Sequence, residues 1–211
     1  MYEVHSISTV AFIGVLAAAL ASCSVTGNGF VIAFIARFKS LRTVPNIFIG
    51  NLALVDLLNA AINLPIHVIY TVLEDNWFRG QKLAIAVTFS NRLFIVLNLT
   101  SMLALMTDLY FAISRDLRYF VWKTKKKALI GVFLIWFTSL VTVTLFSISL
   151  LDINLGNAQV RVYRAEIFKR GKNFASTIVA LFIISAAVLG FLTNRSITDK
   201  KKKVLSCYIY L

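Results

Sequence analysis

The sequence predicts an all-α integral membrane protein with five transmembrane helices and, at its C-terminal end, a stretch that reads as the stub of a sixth. Three observations lead there. The 211 residues are 59% hydrophobic with a mean hydropathy of +0.81, more apolar surface than a water-soluble domain of this size can hide. The apolar residues fall into runs of ~20 or more, the length that crosses a ~30 Å hydrocarbon core as a helix. Their period is not two, which argues against the strands of a β-barrel.

The spans follow in order. The first covers about residues 8–36, and it lacks a basic n-region and is too long for a signal-peptide core, so it is read as retained. The second covers about 46–72, the third 83–113, the fourth 127–150 and the fifth 174–192. After the run "TDKKKK" come eight residues, "VLSCYIYL". At ~1.5 Å per helical residue they cannot cross a bilayer, so 204–211 is either the start of a sixth span or an interfacial tail. Cys23 and Cys207 fall at different depths, and no disulfide is expected between them.

Charge sets the orientation. A net charge of +13 on a soluble protein would suggest nucleic acid, but here the basic residues sit in the connections between spans, and no nucleic-acid partner is expected. One side of the membrane receives 14 Lys and Arg, among them Arg37, Lys39, Arg42, Lys123, the run Lys125 to Lys127 and the run Lys200 to Lys203. The other side receives 7, including Arg79, Lys82 and Lys172. The positive-inside rule places the first set in the cytoplasm and the N-terminus outside.

Polar groups inside apolar spans are costly and therefore informative. Asn28 lies in "VTGNGFVIAFIA", Asp56 in "NLALVDLLNAAINLP", and Asn91, Arg92 and Asn98 in "SNRLFIVLNLTSM". Asp56 either binds a proton, a cation or polar side chains, or makes a purely structural interhelical hydrogen bond, with Asn28 as one candidate partner. Arg92 either snorkels to the headgroups or places positive charge in an outward-open cavity suited to an anionic or acceptor-rich ligand. Pro65 is expected to end or kink the second helix near its outer end. Trp77 reads as an interfacial belt residue and Trp136 as a packing residue with its N–H turned toward a partner helix. No nucleotide loop, metal-ligand cluster or nucleophile–base pair is visible, His5 and His67 are isolated, and neither enzyme activity nor a cofactor is implied. Asn98-Leu99-Thr100 and Asn194-Arg195-Ser196 match the glycosylation pattern but fall in the membrane and in the cytoplasm, where neither is expected to be modified.

Taken together these residues resemble a rhodopsin-like (class A) G protein-coupled receptor. The resemblance rests on Gly27-Asn28, the run "LRTVPNIFIGNLALVDLL" carrying Asp56, Pro65, Trp77 with Gly80, "SMLALMTDLYFAI", "LRY" followed by "TKKKA", and Trp136, in the family's order and spacing. It implies five helices of a seven-helix bundle, in which Asn28, Asp56 and Asn98 belong to the polar network where such receptors hold a sodium ion. Asp108, Leu109 and Tyr110 take the place of the cytoplasmic switch motif. His67, Asn91, Arg92 and Ile95 take positions at the ligand cavity, and Pro65, Trp77 and Trp136 are structural. Asn91 stands where amine receptors carry an aspartate, so a monoamine ligand is disfavoured and the extracellular ligand is unidentified.

The departures matter as much. Leu109 replaces the family's arginine, and Asp116 stands where a proline is common. Ala84 takes roughly the place of the third-helix cysteine and 151–172 contains none, so the disulfide implied by the family cannot form. No proline marks the fifth helix, the sixth is at most begun, and the seventh is absent. The expected protein is a divergent, partial receptor, impaired in signalling, multi-pass in the plasma membrane or retained in the endoplasmic reticulum. Its expected partners are membrane lipid, an unknown extracellular ligand and, by resemblance, a heterotrimeric G protein. The alternative is a non-signalling membrane interaction protein that forms hetero-oligomers with full-length receptors.

Overall fold

In lipid a backbone N–H or C=O finds no water, so an apolar chain must satisfy its hydrogen bonds within each segment. The computed structural model describes residues 7–72, 81–114, 123–151 and 160–209, and among them every regular element is helical. Helix α1 is Ile7–Arg37. Phe38 leaves it in an extended conformation, Lys39–Leu41 forms a single 3-10 turn, and α2 follows over Val44–Leu58. Pro45 sits in the first turn of α2, where a missing N–H costs nothing. The tight connection is held by side chains: Arg42 donates to the Ala36 carbonyl at 2.7 Å and Asn46 to the Leu41 carbonyl at 2.6 Å.

The second span is not one uniform helix. A π turn, Asn59–Asn63, joins α2 to α3, Leu64–Val72. The Leu64 N–H reaches back five residues to the Asn59 carbonyl. This wider turn comes just before Pro65, which has no N–H to give. Pro65 therefore neither ends the span nor breaks it; the mismatch is absorbed one residue earlier and the chain stays helical to Val72.

Helix α4, Gln81–Ser114, packs against α2 and against the two later helices, α5 (Lys125–Leu151) and α6 (Val160–Ile209), and forms the centre of the bundle. Helix α5 is Lys125–Leu151, started by Thr124, whose hydroxyl accepts the Lys127 N–H at 3.4 Å. Val55 from α2, Leu97 from α4 and Val143 from α5 are fully buried where these three meet. Close approach is achieved with small residues. A Cβ built on Gly50 of α2 would lie 3.5 Å from Ile35 of α1, and one on Gly131 of α5 would lie 3.5 Å from the Phe48 ring of α2.

The last helix is longer than the fifth span read from the sequence. Helix α6 runs unbroken from Val160 to Ile209. Residues 160–173 are helical ahead of the apolar run, and residues 204–209 continue the same helix. The reason is local: nothing between Thr193 and Lys203 is a helix breaker, and lysine is a good helix former. At ~1.5 Å per residue α6 is ~75 Å long, far more than a bilayer core needs, so its ends project beyond the apolar segment Ser176–Lys202.

Five helices are long and apolar enough to cross a membrane, with candidate spans Ala11–Arg37, Val44–Ile66, Ala86–Ser114, Lys125–Ile148 and Ser176–Lys202. Their outward faces carry the large apolar side chains that a soluble fold would bury, such as Phe12, Phe30, Phe133 and Phe191.

Candidate functional site: a polar axis along the central helix

Polar side chains converge on α4 at three depths. In the middle, the Asn98 amide donates to the Asp56 carboxylate in a hydrogen bond linking α4 to α2. Asn28 does not join them: its amide donates to the carbonyl of Ser24, one turn back, at 3.0 Å, and to the Ser24 hydroxyl at 3.2 Å. With its nitrogen turned to Asp56, Asn98 offers the carboxylate a proton donor. Together with an Asn28 that faces its own helix, this is not the cluster of oxygens that a hard cation takes.

One turn toward the basic end lies a set of three polar side chains, of which only Trp136 stands out in the sequence. Asn51 of α2 donates to the Ser101 hydroxyl of α4 at 2.9 Å. Its carbonyl accepts the indole N–H of Trp136, from α5, at 2.9 Å. One buried amide therefore ties three helices together, and Trp136 turns its N–H inward to do so. Thr100 and Ser139 add a hydroxyl contact at 3.2 Å between α4 and α5.

Toward the other end a second amide cluster forms. Asn63 donates to the Asn59 side chain at 2.9 Å and to Asn91 at 3.3 Å, and its carbonyl accepts the Ser90 hydroxyl at 2.9 Å. Arg92 does not snorkel. It is buried, with its guanidinium 4.8 Å from the centroid of the Phe146 ring, and Phe146 stacks on Phe174 of α6 at 4.1 Å. A delocalised cation on an aromatic face is a favourable arrangement away from water. Ile95 is half-buried one turn further along α4, and His67 falls within α3. Trp77 lies outside the described residues.

The third depth is the C-terminal end of α4. Asp108 is 2% exposed, whereas Leu109 beside it is 56% exposed and points away from the bundle. Tyr110 is half-buried, with its ring 5.5 Å from that of Phe111. The acid forms an ion pair with Lys123, from the segment just ahead of α5, and the Lys123 ammonium also lies 4.8 Å over the Phe48 ring. Burial pushes the Lys123 pKa below the ordinary lysine value, while the carboxylate beside it favours the charged form. A second lysine, Lys200 of α6, donates to the Ile113 carbonyl in the last turn of α4. A cation there meets the negative end of the helix dipole.

Asp56 stands out in the sequence as an acid in an apolar run, whereas Asn59 and Asn63 are not singled out there, although their spacing of four residues is a signal that could find them. Lys123 carries no such mark, since it is one lysine among many.

The site is a multi-helix bundle with an acid at mid-depth, an Asn–Trp tie and a buried acid near the end of the central helix, and its class follows from comparison with known proteins. The family model of the 7 transmembrane receptor (rhodopsin family) matches residues 27–194. The chain belongs to that family, whose members are receptors and not enzymes. It is 32% identical over 136 residues to melanopsin-A of Gadus morhua, covering 64% of this chain and 24% of that protein. To 5-hydroxytryptamine receptor 1A-alpha of Takifugu rubripes it is 32% identical over 132 residues, covering 63% and 30%. To cholecystokinin receptor type A of Oryctolagus cuniculus it is 33% identical over 125 residues, covering 59% and 29%. The match thus spans less than a third of the length of each of these relatives.

Proposed function

We propose that this chain is a rhodopsin-like receptor polypeptide whose outer half is built to receive a ligand and whose inner switch is silent. The carrying observation is at the end of α4. Leu109 has no hydrogen-bond donor, points outward, and leaves Asp108 to pair with Lys123. In the mechanism that family resemblance supports, ligand binding between the outer helix halves shifts a population toward a state open to a heterotrimeric G protein. A leucine cannot make the guanidinium contacts of that step. The test is nucleotide exchange on a purified G protein: membranes containing the chain are expected to match empty membranes, and stimulated exchange would refute the reading.

The outer cluster supports a ligand other than a monoamine. Asn91 is an uncharged amide engaged with Asn63, and its neighbour Arg92 is a cation. A sodium ion at Asp56 would require Asn98 to present its oxygen in place of the amide nitrogen. The basic ends of the spans support an N-terminus outside the cell, which labelling of single cysteines placed in each connection would check. Whether the chain resides in the plasma membrane or the endoplasmic reticulum is read by the same labelling on intact cells.

A second reading is favoured by one observation. Among the described residues, α1 and α6 contain none that is fully buried, so two long apolar helices offer most of their surface to neighbours. The chain would then act as a non-signalling partner that associates with full-length receptors. Co-expression should lower the surface display of such a receptor and allow co-purification; unchanged trafficking without co-purification removes this reading.

A further inference from the structure

We propose that Lys123 is the positioning cation of the switch motif in this chain, delivered from the connection ahead of α5 in place of a side chain at position 109. The inference rests on reading Asp108-Leu109-Tyr110 as that motif, but its geometry belongs to this protein. Asp108 is almost completely buried, and a buried carboxylate needs a compensating charge or donors. The residue that follows it supplies neither.

Lys123 meets the acid in a slot that three helices build. Asp108 of α4 forms one wall and the Phe48 ring of α2 another, with the ammonium 4.8 Å from the ring centroid. Gly131 of α5 lets that ring sit close, since even a Cβ there would be in contact with it at 3.5 Å. Lys123 is 18% exposed at its side chain, whereas Lys125, Lys126 and Lys127, the next basic residues, are exposed. The same short segment thus turns one lysine inward and three outward. The consequence is a latch: the start of α5 is fastened to the end of α4 by an ion pair spanning fifteen positions of sequence. In an intrahelical pair between adjacent residues the connection would be free of the acid.

The test uses the full chain in lipid nanodiscs and reads thermal unfolding. Lys123→Met and Asp108→Asn are each expected to lower the midpoint by roughly 5 °C. Lys123→Arg should retain most of the wild-type midpoint. The pair Asp108→Asn with Lys123→Met should lose less than the two single losses summed, because both partners are removed together. Hydrogen exchange in the first turn of α5 should rise in Lys123→Met and stay unchanged in Lys126→Met. Additive losses in the double variant, or Lys123→Arg behaving like Lys123→Met, would overturn the proposal. So would equal exchange in Lys123→Met and wild type, and the conservative Lys123→Arg keeps the proposal testable if Lys123→Met unfolds. None of these readouts involves a G protein, so a failure here is distinct from a failure of the receptor reading.

Discussion

At the scale of single residues, a few buried polar groups carry most of the specificity. Asn51 uses both ends of its amide, one on Ser101 and one on Trp136. Interhelical hydrogen bonds in membrane proteins contribute ~0.6 kcal/mol each on average and rarely more than ~1.7. Asn51→Leu should therefore cost about 1–3 kcal/mol and Trp136→Phe about 1 kcal/mol. A double-mutant cycle on unfolding in detergent should give a coupling near 1 kcal/mol. Coupling near zero would mean that the indole N–H and the amide do not depend on each other. At the outer cluster, 5-hydroxytryptamine should show no saturable binding to the purified chain, because Asn91 offers an ammonium no opposite charge; radioligand binding checks this.

Residues also show where sequence reasoning succeeds and where it stops. Asp56 and Trp136 stand out because a carboxylate or an indole in an apolar helix demands a partner, and each has one. Asn51 is one amide among several in its run, and its partners lie fifty and eighty-five residues away, so nothing local marks it. Asn28 looked like a candidate partner for Asp56, yet the Ser24 carbonyl and hydroxyl, one turn away, satisfy it first. Short-range competition of this kind is available to any Asn or Ser in a helix.

At the scale of elements, the apolar runs were legible because lipid leaves a spanning segment few choices besides a helix. The ends were less so. The lysine run marks a boundary of charge, but charge alone does not break a helix, and α6 continues through it. Thr198→Pro should interrupt that continuation and detach Lys200 from the Ile113 carbonyl. A proline in a helix interior costs ~3 kcal/mol or more. Hydrogen exchange should rise from residue 199 onward while α2 and α5 are unchanged. Protection that persists beyond 199 would contradict a single continuous helix. The π turn is the other local departure. Pro65 signalled that something must give, but a missing donor can be accommodated by ending, kinking or widening the helix, and the sequence does not choose among them.

At the scale of the whole molecule, the bundle is organised around α4, with a polar contact to a neighbour at each depth. The Asn63–Asn91 amides, the central Asp56–Asn98 bond, the Asn51 tie and the Asp108–Lys123 pair form a polar axis along α4. The chain belongs to a family of receptors, and at the C-terminal end of α4 its buried acid pairs with a lysine from the segment ahead of α5. The most direct measurement of this account is nucleotide exchange by a purified heterotrimeric G protein mixed with the full chain in nanodiscs. It should be run alone and with 5-hydroxytryptamine or cholecystokinin, the ligands for which two of the relatives are named. The account predicts exchange equal to that with empty nanodiscs in every condition. Exchange above that level, in any of them, would show that the switch works without its arginine and would contradict the account.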